Sequence, residues 1–582
     1  MLLNNKEMVS RPAEPAKDSP TSNAIPTPPR SPPTITTLGI DFTRTFPGLS
    51  LDELVRPSTP ADENDSECCG GGCCAVSSVA SASCSSDSLS SLSPASSSIA
   101  FPDNLAFKQL KLPLLKISRS ARLLGTTSLP PCSVKLEPVA QSCAETIGTN
   151  ALVPPKYLKP HYPYDVHNMP IIAVRELTGK DALKRTYHFD IDVSKYPEEI
   201  PGVDFRVGGA VGICSRNKPS LVDEILTCLK IPDSDRDTPV SLVTSGGRWP
   251  SIWGEEKPRT LTTSFREILT WTLDLNNGIF SKNLVRVLAE YATDASERAI
   301  LLWLCSRQGQ STFCNLRSAP YPPTLLQLLL AFPSSVPPIA QLASVLPTLM
   351  PRFYSLSSDP VENYISDGLA TPIRRIEIAV TVHEASEPWR GPGVVRSGNC
   401  TGFLEQIALE FLHGQKIVTL PLFRGLQANP LAKEFRADGP MLLVGAGVGI
   451  APFRGFVQRR LKNANCKNKV WVLQGCRDSL VDELYAGEWG INDTEVRKVV
   501  QSRRGTKKYV QDELVDQADL VWSIISHPDG RIFVCGSSKG MGEGVYAALV
   551  KVAMDKGRMS EDTANEFWEQ KIKSWQYVTE TW

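Results

Sequence analysis

Three strand-like runs toward the carboxyl end constrain this chain's fold most: Met441–Val444, Val470–Leu473 and Arg531–Val534. Each is followed closely by a glycine and then by a stretch with helical spacing. Short runs without polar alternation read as strands buried on both faces, and strands alternating with helices build a doubly wound parallel sheet. Such a sheet gathers ligands at the carboxyl ends of its strands. The first run enters Gly445-Ala-Gly447-Val-Gly449-Ile-Ala-Pro452-Phe453, ahead of a helix expected over 454–461. A glycine-rich turn in that context lets the backbone approach a phosphate. Its spacing is not the G-x-G-x-x-G of the common dinucleotide turn, while Pro452 suits a helix start.

The chain ahead of this region is organised differently. Residues 185–194 (Arg-Thr-Tyr-His-Phe-Asp-Ile-Asp-Val-Ser) alternate with period two, the mark of a half-buried strand. From Ser220 to about Leu346 the spacing turns helical, and after Pro351 short strands return. Residues 1 to about 150 read as disordered: Pro- or Ser-dominated segments such as 25–33 and 77–98 bury too little apolar surface to offset chain entropy. Ser-Pro and Thr-Pro pairs at 31–32, 59–60 and 93–94 fit phosphorylation sites or an unmodified tail equally.

Composition narrows the class. The 62 basic and 62 acidic residues cancel, so nothing electrostatic argues for nucleic acid. The longest apolar stretch, Leu325–Phe332, is broken by Gln327, closed by Pro333 and too short to span a bilayer. No apolar segment of the secretory type follows the first charges. A cytoplasmic protein with its fifteen cysteines as free thiols is the expectation. Cys-Cys-Gly-Gly-Gly-Cys-Cys at 68–74 lacks zinc-knuckle spacing and a nearby histidine, so no metal site is expected.

Three further clusters carry chemistry. In Arg352-Phe353-Tyr354-Ser355 an arginine can clamp a pyrophosphate, a tyrosine can stack on a flat ring and a serine can bond a ring nitrogen; alone, it reads equally as a surface strand. Gly398-Asn399-Cys400-Thr401-Gly402-Phe403-Leu404 opens a helix expected over 405–412, where free N–H groups suit a phosphate or Thr401 acts as a plain helix cap. Ser502-Arg503-Arg504 and Lys507-Lys508-Tyr509-Val-Gln511 place cations and hydroxyls after a strand, fitting a nucleotide 2′-phosphate or a solvated charged face.

In this order, from about residue 165 to the C-terminus, the chain resembles the diflavin reductases. Leu304-Cys-Ser-Arg-Gln-Gly309, Gln327-Leu-Leu-Leu-Ala-Phe-Pro333 and Gly398–Leu404 are most similar to the methionine synthase reductase branch. The resemblance implies an α/β multi-domain protein with FAD and NADPH as cofactors. Its parts are a disordered tail over 1–152, an antiparallel β-barrel FAD domain over 153–435 with a helical connecting segment inserted at about 218–348, and a doubly wound NADP domain over 436–582. It implies that Arg352, Tyr354 and Ser355 form the flavin motif and that Gly398, Asn399, Cys400 and Thr401 form the pyrophosphate turn. Gly445, Gly447 and Gly449 belong to the NADP turn. Ser502, Arg503, Lys507, Tyr509 and Gln511 match the 2′-phosphate site, with Cys476, Arg477, Asp482 and Tyr485 in the adjoining loop. Cys535 matches the cysteine beside the nicotinamide, Trp582 the aromatic that covers the flavin, Glu580 the carboxylate near it, and Arg185 an arginine near the cofactor phosphates. Hydride would pass from NADPH to FAD.

The chain departs from the family at several points. Val448 replaces a threonine of the glycine-rich turn, Ser537 an aspartate after Cys-Gly, and Gly209 an aspartate near 208. No tyrosine holds the adenine-stacking position, leaving His383 or Trp389 as candidates. Residues 1–150 lack the strand–helix alternation of a flavodoxin-like domain, so FMN is not expected on this chain. The electron acceptor would be a separate FMN-containing flavodoxin-like protein or methionine synthase. A general flavodoxin or cytochrome reductase, or a non-catalytic regulatory module, are the alternatives.

Overall fold

The computed structural model describes residues 99–113, 117, 122–139, 153–158, 165–197, 205–244, 259–360, 373–415, 417–424, 431, 439–462, 469–490 and 496–582. The cysteine cluster at 68–74 and the three Ser/Thr-Pro pairs lie outside them.

Six antiparallel strands form the first sheet, in the order β7 (Arg352–Ser355), β4 (Ala210–Ile213), β11 (Thr419–Arg424), β2 (His167–Glu176), β3 (Thr186–Asp192), β8 (Arg375–Thr381). Its two edges meet. Leu356, just past β7, bridges to Ile378 of β8, and the Ser357 N–H donates to the Glu377 carbonyl at 2.8 Å. The sheet is therefore a closed barrel, which leaves no exposed edge. Phe189 and Ile191 of β3 point inward with Ile376, Ile378, Leu420 and Leu422. The helix Asn399–Leu412 plugs the barrel with Cys400, Phe403, Leu404, Ile407 and Ala408, a stripe at three- and four-residue spacing. The period-two reading of 185–194 holds for direction, but β3 is not half exposed. His188 on its outer face is also buried, because the carboxyl-terminal region packs there.

Between β4 and β7 lies a helical insertion whose core includes the helices Lys282–Glu290, Ala295–Leu304 and Leu325–Ala331. Leu325, Leu326, Leu328 and Leu329 are buried in it, so the longest apolar stretch is a core helix. No helix among the described residues is long and apolar enough to cross a membrane.

The reading of a disordered tail running to residue 152 needs correction over the described residues 99–113 and 122–139. Asn104 caps the helix Leu105–Lys108 by accepting the Phe107 N–H at 2.7 Å, and its amide donates to the Ala331 carbonyl. The Phe107 ring meets Phe332 edge-on at 5.7 Å, and β1 (Val134–Pro138) pairs antiparallel with β5 (Val240–Thr244), itself paired with β6 (Arg259–Thr263). A four-residue helix and a five-residue edge strand are too short to show periodicity inside a Pro/Ser-rich background. We predict that Phe107→Ala costs about 3–4 kcal/mol. Denaturant unfolding measures it, and an unchanged midpoint would remove this segment from the cooperative fold.

The carboxyl-terminal sheet has five parallel strands in the order β14 (Arg497–Gln501), β13 (Val470–Cys476), β12 (Met441–Ala446), β15 (Arg531–Gly536), β16 (Tyr577–Thr581). The three sequence runs are its central strands. The chain passes outward from β12 to β13 and β14, then returns to the other side of β12 as β15. The switch point thus lies between β12 and β15, and crevices open there at the carboxyl ends.

Candidate functional site

A cavity of about 400 Å³ opens between the barrel and the switch point. It is lined by the barrel's Arg352, Tyr354 and Ser355, by Gly398–Thr401 and by Cys535, Glu580 and Trp582 from the parallel sheet. Tyr354 donates its hydroxyl to the Cys400 sulfur at 3.4 Å, and burial pushes its phenol pKa upward, keeping it protonated. The residue capping the helix Asn399–Leu412 is Gly398, with no side-chain capping bond. Thr401 is not the cap; its hydroxyl accepts the His383 N–H at 3.3 Å. A Cβ on Gly398 would sit 2.9 Å from that hydroxyl. The first turn of a fourteen-residue helix therefore presents uncapped N–H donors and the positive dipole end to the cavity. This donor set fits a pyrophosphate, and Tyr354 in the same lining offers an aromatic face for a flavin ring.

A second cavity, of about 650 Å³, runs along the carboxyl ends of β12, β13 and β14. Gly447 lines it with φ of +55°, and a Cβ there would meet nothing within 4 Å, so the turn's open side faces the cavity. Gly445 and Gly449 are outside the lining and serve packing: a Cβ on Gly449 would lie 2.6 Å from the Cys535 carbonyl carbon. Arg477 is held by Asp482, which accepts its N–H at 3.1 Å and its Nε at 2.9 Å. Burial, then Asp482, pushes the Cys476 thiol up to about 12, so it stays neutral. Ser502, Tyr509 and Gln511 line this cavity, as do Val448 and Ser537.

Several expected residues stand elsewhere. Arg503 and Lys507 are outside the lining and exposed; the Arg503 N–H donates to the Arg477 carbonyl, which puts this residue on the rim. Arg185 lines neither cavity: Glu405 and Glu384 hold its guanidinium at 2.6 and 2.7 Å and raise its pKa. Trp389 is buried against the helical core and so cannot stack on an adenine. Gly209 sits in a tight turn, its N–H on the Arg206 carbonyl. Conversely, Lys184 and Lys539 line the second cavity and Asn277 the first, contributed by segments with no local motif, while Lys508 of the basic cluster lines the second in place of Lys507.

The cavities adjoin. Thr381, His383, Val448 and Trp582 line both, so the terminal tryptophan stands at their boundary. Trp582 is 55% exposed, yet its backbone is fixed: its N–H donates to the Gly536 carbonyl and its carbonyl accepts from Ser538. Burial, then Lys184, lowers the pKa of His383 and keeps it neutral. Beside Trp582, β16 sets Glu580 opposite Cys535. Ser355 donates to Glu580 at 3.1 and 3.3 Å, joining the barrel to the parallel sheet. Cys535 is fully buried, and burial, then Glu580, pushes its thiol pKa well upward.

Tyr485 lies outside both cavities, in the joint behind them. Its hydroxyl is 3.0 Å from His188 Nδ1, and Arg454 faces its ring at 5.0 Å. His188, Asp190 and Glu377 could together offer a metal three donors, but Arg375 already pairs with both carboxylates and Arg454 with Glu377. The Arg375 pairs lie within the barrel, and Arg454, on the helix Ala451–Lys462, ties it to the carboxyl-terminal region.

Comparison with known proteins agrees with this geometry. Residues 159–403 match the FAD binding domain family, and residues 443–546 match the oxidoreductase NAD-binding domain family. An uncharacterised FAD-binding protein of Schizosaccharomyces pombe is 44% identical, the match covering 75% of this chain and 79% of the relative. A second from the same organism is 42% identical over 81% and 82%. Methionine synthase reductase of Rattus norvegicus is 29% identical over 66% of this chain and 57% of its own length. NADPH–cytochrome P450 reductase of Drosophila melanogaster is 28% identical over 72% and 59%. The chain belongs to the diflavin reductase family of NADPH- and FAD-dependent oxidoreductases, matching the family's FAD/NADPH half. FAD and NADPH are its cofactors.

Proposed function

We propose that this chain takes hydride from NADPH at the boundary marked by Trp582 and delivers electrons onward to an acceptor protein. The supporting observation is the shared boundary of the two cavities, where Ser355, Glu580 and Cys535 meet. FAD supplies the hydride-accepting ring when bound; the protein's part is to place it. In this reading, residues 153–435 form the FAD domain, with the insertion at about 218–348, and 436–582 the NADP domain. Arg352 and the turn Gly398–Thr401 hold the pyrophosphate, and Tyr354 flanks the ring. Ser502, Tyr509 and Gln511, with Arg503 and Lys507 at the rim, take the 2′-phosphate. Trp582, half-exposed on a fixed backbone, would cover a flavin held there and would have to swing aside for the nicotinamide. Neutral Cys535 and His383 add no charge there. Most of the rate advantage would come from fixing the reacting groups at this boundary and keeping water from them.

The acceptor we propose is a flavodoxin-like FMN protein, in support of methionine synthase reactivation in the cytoplasm. The methionine synthase reductases among the relatives and the free cysteines support this. Purified protein should reduce ferricyanide with NADPH and sustain methionine synthase turnover once a flavodoxin is added. Turnover of cytochrome P450 but not methionine synthase would replace that acceptor.

Two substitutions test the nucleotide side. Arg503→Ala should shrink the NADPH-over-NADH preference about tenfold, as expected for losing one charge-assisted contact; an unaltered ratio of kcat/KM values would reject the 2′-phosphate assignment. Val448→Thr adds a hydroxyl on the wall of both cavities and should lower the KM for NADPH several-fold, roughly one hydrogen bond's worth. A higher KM would show that Val448 packs where a hydroxyl finds no partner.

A further inference from the structure

We infer that the helical insertion positions the FAD pyrophosphate turn through a buried amide–carboxylate network centred on Asp274, with Asn217 and Asn276 as its other positioning residues. The inference rests on the proposed role of Gly398–Thr401. Asn399, the first residue of the helix Asn399–Leu412, turns its side chain toward the insertion. Its amide nitrogen donates to Asp274 Oδ1 at 3.2 Å and to Asn217 Oδ1 at 3.3 Å, while its amide oxygen accepts from Asn276 Nδ2 at 2.8 Å. Asp274 Oδ1 also accepts the backbone N–H groups of Asn276 and Asn277, at 2.9 and 2.8 Å.

The network is anchored on its far side. Asn217 donates to the carbonyls of Leu269 and Leu273, both at 2.7 Å, and is fully buried. Asp274 is 5% exposed, and its own N–H donates to the Pro347 carbonyl. A buried network with this many directional partners specifies one orientation, because each lost bond strands a desolvated polar group. What it orients is the helix start that presents uncapped N–H groups to the flavin cavity. The same loop carries Asn277 into that cavity's lining. Arg396, which interacts electrostatically with Asp274, offsets the carboxylate charge near the phosphate position. The insertion thus does more than fill space beside the barrel: it sets the angle and height of the phosphate turn.

The test is the rate at which full-length holoprotein releases FAD on dilution, read by the rise of free-flavin fluorescence, with thermal unfolding measured alongside. Asp274→Ala should speed release about tenfold, and Asn399→Ala similarly. Asp274→Asn keeps the Oδ1 acceptor and should stay near the wild-type rate. A role in bulk stability alone would not be rescued in this way. Excess FAD should restore kcat in Asp274→Ala. Wild-type release from Asn399→Ala, or release from Asp274→Asn as fast as from Asp274→Ala, would overturn the inference. Arg352→Ala separates the two ideas: if it releases FAD quickly while the network variants do not, only the network fails; if none does, the proposed pyrophosphate site fails with it.

Discussion

Replacing Ser355 with alanine is expected to slow NADPH-dependent flavin reduction about a hundredfold while leaving FAD in place. The hydroxyl sits on β7, in the motif beside the flavin cavity, and donates across to the Glu580 carboxylate on β16. Its loss removes an interaction at the proposed place of hydride transfer, so kcat should fall while the KM for NADPH stays nearly constant. Glu580→Gln should reproduce much of the defect, because an amide keeps the shape and loses the charge that orients the serine proton. Glu580→Asp shortens the reach by one methylene and should fall between. Stopped-flow reduction under anaerobic conditions separates these steps. A Ser355→Ala protein that is reduced at the wild-type rate would take Ser355 out of the reaction.

Gly449→Ala should abolish NADPH-dependent reduction and destabilise the protein by about 2–3 kcal/mol. An added methyl would press on the carbonyl carbon of Cys535, backbone that cannot swing aside, and would prise β12 from β15 at the switch point. Gly447→Ala offers the contrast. Nothing stands near its would-be Cβ, so the cost is only that of a left-handed residue, about 1–2 kcal/mol. It should weaken NADPH binding by filling the cavity wall, yet leave the FAD content intact. Equal unfolding midpoints for the Gly449→Ala and wild-type proteins would show that the close approach of turn and strand is not a constraint.

How much could be read in advance follows from where the information lies. The parallel sheet was visible because its central strands β12, β13 and β15 are buried on both faces and read as unbroken runs. The edge strands β14 and β16, Arg-Lys-Val-Val-Gln and Tyr-Val-Thr-Glu-Thr, carry polar residues and have no such signature. Barrel closure depends on β7 pairing with β4 across the long insertion and on Ser357 meeting Glu377, pairings that no local pattern encodes. It entered the reading through family resemblance alone. The glycine-bearing turns at 398–401 and 445–449 were legible because each is contiguous and opens a helix. Lys184, Lys539 and Asn277 were not, since each joins the site from a separate loop. Arg185 shows the opposite error: an arginine near the site is occupied by Glu384 and Glu405, partners that become neighbours only after folding. The described residues 99–113 and 122–139 were missed because they join the core through a four-residue helix, a few scattered apolar side chains such as Phe107, Leu110 and Val134, and one strand pairing, which do not stand out among prolines and serines.

The most direct measurement concerns the hydride step itself. Full-length protein should be yellow as purified, release FAD on denaturation in amounts equal to the chain, and lose its flavin absorbance when NADPH is added without oxygen, far faster than with NADH. A protein that stays colourless after incubation with FAD, or whose bound FAD is not bleached by NADPH, would contradict the account.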